Sequence, residues 1–312
     1  MISPIVVGVD PRREDPAPLA LASLLAELTE RPLLAIAAYP EDAFPSRGPS
    51  PEYNRTMREE ADAGLVRAKR HLPEDAVARA VAGTSRARAL TLAAEQAGAA
   101  ILVVGATHHG PLGRLVSGSV TDHVLHGARV PVAVAPRDYQ APATGVRRVG
   151  AAFIDTPEGR AALRAAGTIA TRADASLRAI TVVAPIDWVG IDASSDAIAR
   201  ERDAASAAAE KAARAALAEL DSPQDADTVV VLDGTGPAVA ELSGELDLLV
   251  CGSRGYGPAR TVLLGSVSHA LARHARCPLI VIPRDPDDAL GALFVPAKTA
   301  ATSNGEPDGP MP

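Results

Sequence analysis

The stretch best equipped for chemistry in this 312-residue chain runs Gly252-Ser253-Arg254-Gly255, nine residues, then Gly265-Ser266. It follows the apolar run LDLLVC and leads into a segment of helical periodicity, read with Val267, Ala270, Leu271 and His274 on its inner face. Glycines leaving a strand carry no Cβ, so the main chain can approach a ligand and point bare N–H groups at it. A Gly-Ser pair opening a helix adds unpaired amides, a hydroxyl and roughly half a positive charge from the helix dipole, a setting for an anion. Arg254, inside the loop, could meet a phosphate. Asp155, closing the earlier apolar run AAFID, could hold ribose hydroxyls or an adenine amine if it reached the same crevice. Together these groups would make a nucleotide site. The plainer alternative is that the glycines only make a turn and a close helix–strand packing.

Other signals are weaker. His108, His109, His123 and His126 cluster, and the last two stand three apart on a predicted helix, but no carboxylate or cysteine completes a familiar metal set. Solvated or helix-end histidines are the plainer reading. The G-x4-G-K-[ST] loop, a G-x-G-x-x-G turn after either first strand and the G-x-S-x-G elbow are all missing from the sequence.

What must position these residues is a duplicated unit. Residues 105–136 and 252–283 align without a gap at 11 of 32 positions, including Gly105/Gly252, Gly118/Gly265, Ser119/Ser266 and Pro131/Pro278. Chance would give roughly two or three. These stretches stand 147 positions apart, and the first strands, ending at Asp10 and Asp155, stand 145 apart. Apolar runs of strand length fall at 4–9, 33–38, 76–81, 100–104 and 130–135, and again at 147–154, 177–183, 227–232, 246–251 and 278–282. Helical patterns lie between them, at Leu21, Leu24, Leu25 and Leu28, over 52–71, and over the alanine-rich 195–220, whose alanine stripe reads as core packing. Valine-rich runs without polar alternation indicate parallel strands buried on both faces. Each half is therefore a doubly wound α/β domain of five strands and four helices. The boundaries fall at 1–138 and 146–284, with a linker over 139–145 and a proline-rich segment, 285–312, read as a disordered tail.

The G-x2-G-x9-G-[ST] spacing, its flank GSVSHALARHARCPLIVIP and the Asp ending the first strand resemble the universal stress protein family. The chain is similar to its tandem members over roughly residues 1–284. The resemblance implies two Rossmann-like, five-stranded parallel sandwiches of strand order 3-2-1-4-5, and a cytoplasmic binding module for ATP rather than a dedicated enzyme. It implies that Asp155 and the Val182 main chain contact the nucleoside, while Gly252, Gly255, Gly265, Ser266 and Val267 line ribose and phosphates. The first copy's counterparts are Asp10, Ala38, Gly105, Gly118, Ser119 and Val120. Departures bear on this: Asp155 is followed by Thr156-Pro157 and Asp10 by Pro11-Arg12, and Gly255 is replaced by His108, whose imidazole would crowd the first cradle. ATP occupancy would change conformation or affinity for a regulatory protein partner. The alternatives are slow ATP hydrolysis or phosphoryl transfer, with Asp155 holding Mg²⁺, and a nucleotide-free scaffold.

Composition narrows the field. A net charge of −7 and 3% aromatics disfavour nucleic acid and anionic membranes as partners. Cys251 and Cys277 sit in apolar runs and suggest buried free thiols in a reducing compartment. The apolar edges 130–135 and 278–282 would aggregate if uncovered, so pairing between the two halves, or in a homodimer, is expected.

Overall fold

Runs of Val, Ile, Leu and Ala buried on both faces form the inner strands, more exposed runs form the two edge strands, and each amphipathic stretch between them folds back as a helix. A computed structural model describes residues 2–41, 51–106, 119–183, 195–220, 225–232, 236–253 and 266–283. The first domain is β1 (Ile5–Val9), α1 (Pro16–Thr29), β2 (Leu33–Pro40), α2 (Pro51–Ala68), β3 (Val77–Gly83), α3 (Arg86–Gln96), β4 (Ile101–Gly105), α4 (Ser119–Gly127) and β5 (Val132–Ala135). The second is β6 (Arg148–Phe153), α5 (Pro157–Ala173), β7 (Ser176–Val183), α6 (Ser195–Ala218), β8 (Ala226–Leu232), α7 (Gly236–Leu242), β9 (Leu248–Gly252), α8 (Ser266–His274) and β10 (Leu279–Ile282).

All strands lie in one sheet of order β3-β2-β1-β4-β5-β10-β9-β6-β7-β8. Within each domain the pairing is parallel in the order 3-2-1-4-5, so the winding reverses between β1 and β4 and again between β6 and β9. Between the domains β5 and β10 pair antiparallel, with Ala133 opposite Ile280, flanked by Val134–Leu279 and Val132–Val281. Ala133 and Ile280 occupy the same place in their two copies, 147 positions apart, so the seam sits on a local pseudo-twofold. Two apolar layers sandwich the sheet, and each runs through both domains. One joins Ile5, Leu21 and Ile101 to Leu163, Ile169 and Ile280; the other joins Val6, Leu102 and Leu125 to Leu249, Leu271 and Leu279. Burial of one such Leu or Ile side chain is worth about 1.5–3 kcal/mol.

Local signals set the helix starts. Asp15 caps α1, its Oδ1 accepting from Ala17 N at 3.2 Å, and Thr156 caps α5, its hydroxyl accepting from Gly159 N at 3.1 Å. Proline follows each cap, where its missing N–H costs nothing. Gly159 is required by packing, because a Cβ there would fall 1.9 Å from the Ile154 carbonyl oxygen. At the far end of the first helix pair, Arg172 Nη1 of α5 donates to the Leu28 carbonyl of α1 at 3.3 Å, which ties a helix C-terminus of one domain to a cation of the other.

Two readings of helix faces need correction. In α6 Ala213, Ala216 and Leu217 are buried and Ala212 packs beside them, so the alanine stripe meets the core over the last part of the helix and not along its whole length. A run of alanines has too little contrast between faces to reveal which one packs. In α8 Leu271 is buried and Val267 packs on the core as expected, but Ser268 and Ala272 are buried too, Ala270 is half-buried and His274 is exposed.

Candidate functional site

In a doubly wound sheet ligands bind outside the carboxyl ends of the strands where the winding reverses. In the second domain that point lies between β6 and β9, and those of the predicted residues that the structure describes fall at the ends of strands and at the start of α8. Gly252 ends β9, Ser253 follows it, and Ser266 opens α8. Val182, near the end of β7, and Val267 are half-buried against the layer that holds Leu249 and Leu271. In the first domain Gly105 ends β4, Ser119 opens α4, Ala38 is buried near the end of β2, and Val120 is half-buried. Arg254, Gly255, Gly265, Gly118, His108, His109 and the segment 285–312 lie outside the described residues.

A hydroxyl joins each helix to the strand before it. Ser268 Oγ donates to the Gly252 carbonyl at 2.8 Å, and Thr121 Oγ1 donates to the Gly105 carbonyl at 2.7 Å. Both are the third residue of their helix. This bond fixes the N-terminus of α8, with its unpaired amides, against the end of β9. Sequence reasoning passed over both residues, although Gly118-Ser-Val-Thr121 and Gly265-Ser-Val-Ser268 repeat the pattern. The first glycine of each turn answers to packing. A Cβ on Gly252 would fall 2.8 Å from the Glu158 carbonyl oxygen, and one on Gly105 would fall 2.9 Å from Asp15 Oδ2. The α5 backbone therefore requires Gly252 whatever the turn binds, whereas the atom over Gly105 is the end of a side chain that can shift.

The first-strand aspartates are not in equivalent places. Ile5 lies opposite Ile101 and Val149 opposite Leu248, so β6 corresponds to β1 with an offset of 144, one less than the aspartates suggested. Val9 and Phe153 both end their strands, and the next residues are Asp10 in one copy and Ile154 in the other. Asp155 stands one position further on. Ile154 is 47% exposed, an apolar side chain at the mouth of the second crevice.

Asp155 itself is exposed and held from the helix beside it. Arg160 Nε of α5 donates to Asp155 Oδ1 at 2.7 Å, while Arg160 Nη1 reaches Glu219 Oε2, just past α6, at 2.8 Å. The pair uses one carboxylate oxygen of Asp155, and a carboxylate can accept at both. Next to it Thr181 Oγ1 donates to the Phe153 carbonyl at 2.7 Å, fixing the ends of β6 and β7. Ser253 is 1% exposed, and its buried hydroxyl has no hydrogen-bond partner among the described residues.

The corresponding loop of the first domain, residues 10–15, is pinned to α2. Arg67 Nη2 donates to the Pro11 carbonyl at 2.6 Å, Arg12 Nε pairs with Glu60 at 3.2 Å, and His71 Nε2 lies 2.9 Å from Glu14 Oε1. The His71 hydrogen bond holds the Glu14 carboxyl below its ordinary range. Asp10 Oδ1 accepts from the Arg12 amide at 3.0 Å, a local turn. A pocket beneath this loop, lined by Asp10, Arg13, Glu14, Arg67 and His71, holds about 10 Å³, room for one water and not for a nucleotide. On α4, His123 and His126 are exposed, and His126 Nδ1 donates to the Asp122 carbonyl at 2.6 Å. Among the described residues no three His, Cys, Asp or Glu side chains gather as a metal set, and no helix is long and apolar enough to cross a membrane.

Fold and site together define a tandem doubly wound α/β protein with a glycine turn at each reversal of winding. The sequence profile of the Universal stress protein family matches residues 1–136 and again residues 145–283, and the chain belongs to that family. It is 31% identical over 301 residues to the universal stress protein Rv2623 of Mycobacterium tuberculosis, covering 89% of this chain and 95% of that one. It is 27% identical over 199 residues to Rv2319c of the same organism, a match over 61% of this chain that spans 66% of that relative's length. Among solved structures, a putative universal stress protein of Pseudomonas aeruginosa superposes with a TM-score of 0.59 at 16% identity, over 94% of this chain and 96% of that one. One from Archaeoglobus fulgidus gives 0.58 at 17%, over 88% and 97%. At such identities the structural likeness concerns the fold.

Proposed function

We propose that the second domain binds an adenine nucleotide, ATP first among them, and that the chain acts as a regulatory binding module. The observation that carries this reading is the Ser268–Gly252 hydrogen bond, which holds the N-terminal amides of α8 at the point where the winding reverses. Three further features fit the group. Asp155 keeps one carboxylate oxygen outside its bond to Arg160, suited to ribose hydroxyls or an adenine amine. Ile154 offers apolar surface for a base, and Ser253 carries a buried hydroxyl with no partner among the described residues. On this reading Asp155 and the Val182 main chain hold the nucleoside, and Gly252, Gly255, Gly265, Ser266 and Val267 hold ribose and phosphates, with Arg254 beside them. ATP, with or without Mg²⁺, would shift the balance between two conformations that differ in affinity for a protein partner. A reducing, cytoplasmic setting suits the two free, buried thiols.

The test is calorimetric titration of the full chain with ATP, with released phosphate followed in parallel. Saturable binding that is lost in Asp155→Ala and in Gly255→Val, without turnover, supports the reading. Turnover abolished by Asp155→Ala would make the protein an enzyme at the same crevice. No binding of any adenine nucleotide would leave a scaffold.

A further inference from the structure

Asp155 belongs to a chain of three charges whose other members lie outside the crevice. Arg160 Nε donates to Asp155 Oδ1 at 2.7 Å, and Arg160 Nη1 donates to Glu219 Oε2 at 2.8 Å. Both ends of this chain are set by packing. Arg160 stands in the first turn of α5, where its amide donates to the Thr156 carbonyl at 2.9 Å and the Thr156 amide to the Ile154 carbonyl at 2.7 Å. Gly159, the residue before it, presses on the Ile154 main chain. At the far end Leu220, next to Glu219, packs over Gly167 of α5, where an added Cβ would fall 2.9 Å from Leu220 Cδ1. The guanidinium is thus gripped between two carboxylates 64 positions apart, on a helix locked to the loop that carries Asp155. The first copy holds its aspartate differently. Five residues after Asp10 stands Asp15 in place of an arginine, and Asp10 Oδ1 accepts from the Arg12 amide.

We infer that Arg160 is a positioning residue of the second domain's nucleotide site and that Glu219 anchors it, the two acting only through Asp155. This rests on the nucleotide reading above and adds to it a cause for the aspartate's orientation. An exposed aspartate on a short loop is free to rotate, and a ligand that uses it must first immobilise it. The bond from Arg160 takes Oδ1 and fixes the carboxylate beforehand, leaving Oδ2 to accept from the nucleoside. Glu219 keeps the guanidinium from swinging into solvent. An exposed pair of this kind is worth about two- to fivefold in an equilibrium constant. The role of Glu219 has a distinctive sign. Removing a carboxylate from the neighbourhood of a polyphosphate favours binding by electrostatics alone, whereas loss of the anchor weakens it.

The experiment is titration of the full chain with ATP, comparing wild type, Arg160→Gln, Glu219→Ala and the double variant. Gln and Ala are good helix formers and both sites reach the surface, so the fold is kept. The expected result is that Glu219→Ala binds ATP about two- to fivefold more weakly than wild type, and Arg160→Gln at least as weakly as that. The double variant should bind no more weakly than Arg160→Gln alone, because an anchor has nothing to hold once the guanidinium is gone. Binding by Glu219→Ala as tight as wild type, or tighter, would overturn the inference and leave the nucleotide reading standing. So would losses that multiply in the double variant, since Glu219 would then act independently of Arg160. No binding of ATP by wild type would overturn both.

Discussion

Ser268 Oγ of α8 donates to the carbonyl of Gly252 at the end of β9, and 147 positions earlier Thr121 of α4 makes the same bond to Gly105. Each bond ties two residues sixteen apart in sequence, across a glycine-rich stretch between strand and helix. The strand carbonyl is satisfied by the helix it must position. Helix start and strand end are thus coupled through one hydroxyl per domain.

Removing that hydroxyl should loosen the turn without disturbing the sheet. Ser268→Ala and Thr121→Val are each expected to cost about 1–2 kcal/mol, since each leaves a half-buried carbonyl short of a donor. Urea unfolding of the ligand-free chain measures this. Ser268→Ala should also weaken ATP binding, whereas Thr121→Val, in the other domain, should leave it unchanged. Equal effects of the two on binding would show that the staple acts through general stability alone.

Much of this was legible in the residues. The uninterrupted Val and Ile runs placed all ten strands to within about two residues, because a strand buried on both faces has no polar alternation to confuse it. The repeat located the glycine turns and the reversal of winding beside them. What escaped depends on three-dimensional register. Nothing local says that Asp155 stands one place beyond Asp10, because only the pairing of β6 with β9 fixes the offset. Arg160 reads as one more solvated helix charge until Glu219, far along the chain, is seen to share it. Asp15 reads simply as a cap, and only the fold puts its second oxygen on Gly105.

Ser253 supplies a prediction of opposite sign. Its hydroxyl is buried without a hydrogen-bond partner among the described residues, and the first copy places Ala106, also buried, at the same position 147 residues earlier. Ser253→Ala removes an unsatisfied polar group from a site already proven to accept a methyl. The ligand-free chain should gain about 1 kcal/mol, read as a higher urea midpoint at unchanged slope. If ATP satisfies the hydroxyl, the same variant should bind it more weakly. A lower midpoint without ligand would mean that the hydroxyl is already paired in solution.

The thiols give a pH dependence. Burial pushes the Cys251 thiol up to about 12 and raises Cys277 as well. In the unfolded chain a thiol titrates near 8.5. A folded value above the unfolded one means the stabilisation is complete below roughly pH 8.5 and declines as pH rises beyond it. At pH 10 each thiol should lower stability by about 2 kcal/mol relative to neutral pH. Cys251→Val, which installs the residue found at Val104 in the first copy, should remove its share of that slope. Urea midpoints of both proteins at pH 7 and pH 10 check it; equal slopes would show that Cys251 meets solvent.

The seam between β5 and β10 makes one folding unit of two repeats. Ala133 and Ile280 face each other across it and are 0% and 1% exposed, and both apolar layers cross it. Ile280→Asp would bury a carboxylate in the layer with Ile5, Ile101 and Ile169, beside a small cavity whose wall includes Arg172, a cation already bonded to the Leu28 carbonyl. The cost is several kcal/mol, drawn first from the antiparallel pair, because within each repeat the parallel pairs are joined by their own helices. The expected outcome is a second unfolding transition in place of a single one, with protease cutting the 139–145 connection in the native state. Wild type, with Tyr139 packed against the same layer, should resist cleavage there until it unfolds globally. A variant that still melts in one step with an uncut connection would show that the domains cohere through their helices, and that the strand pairing is incidental to their coupling.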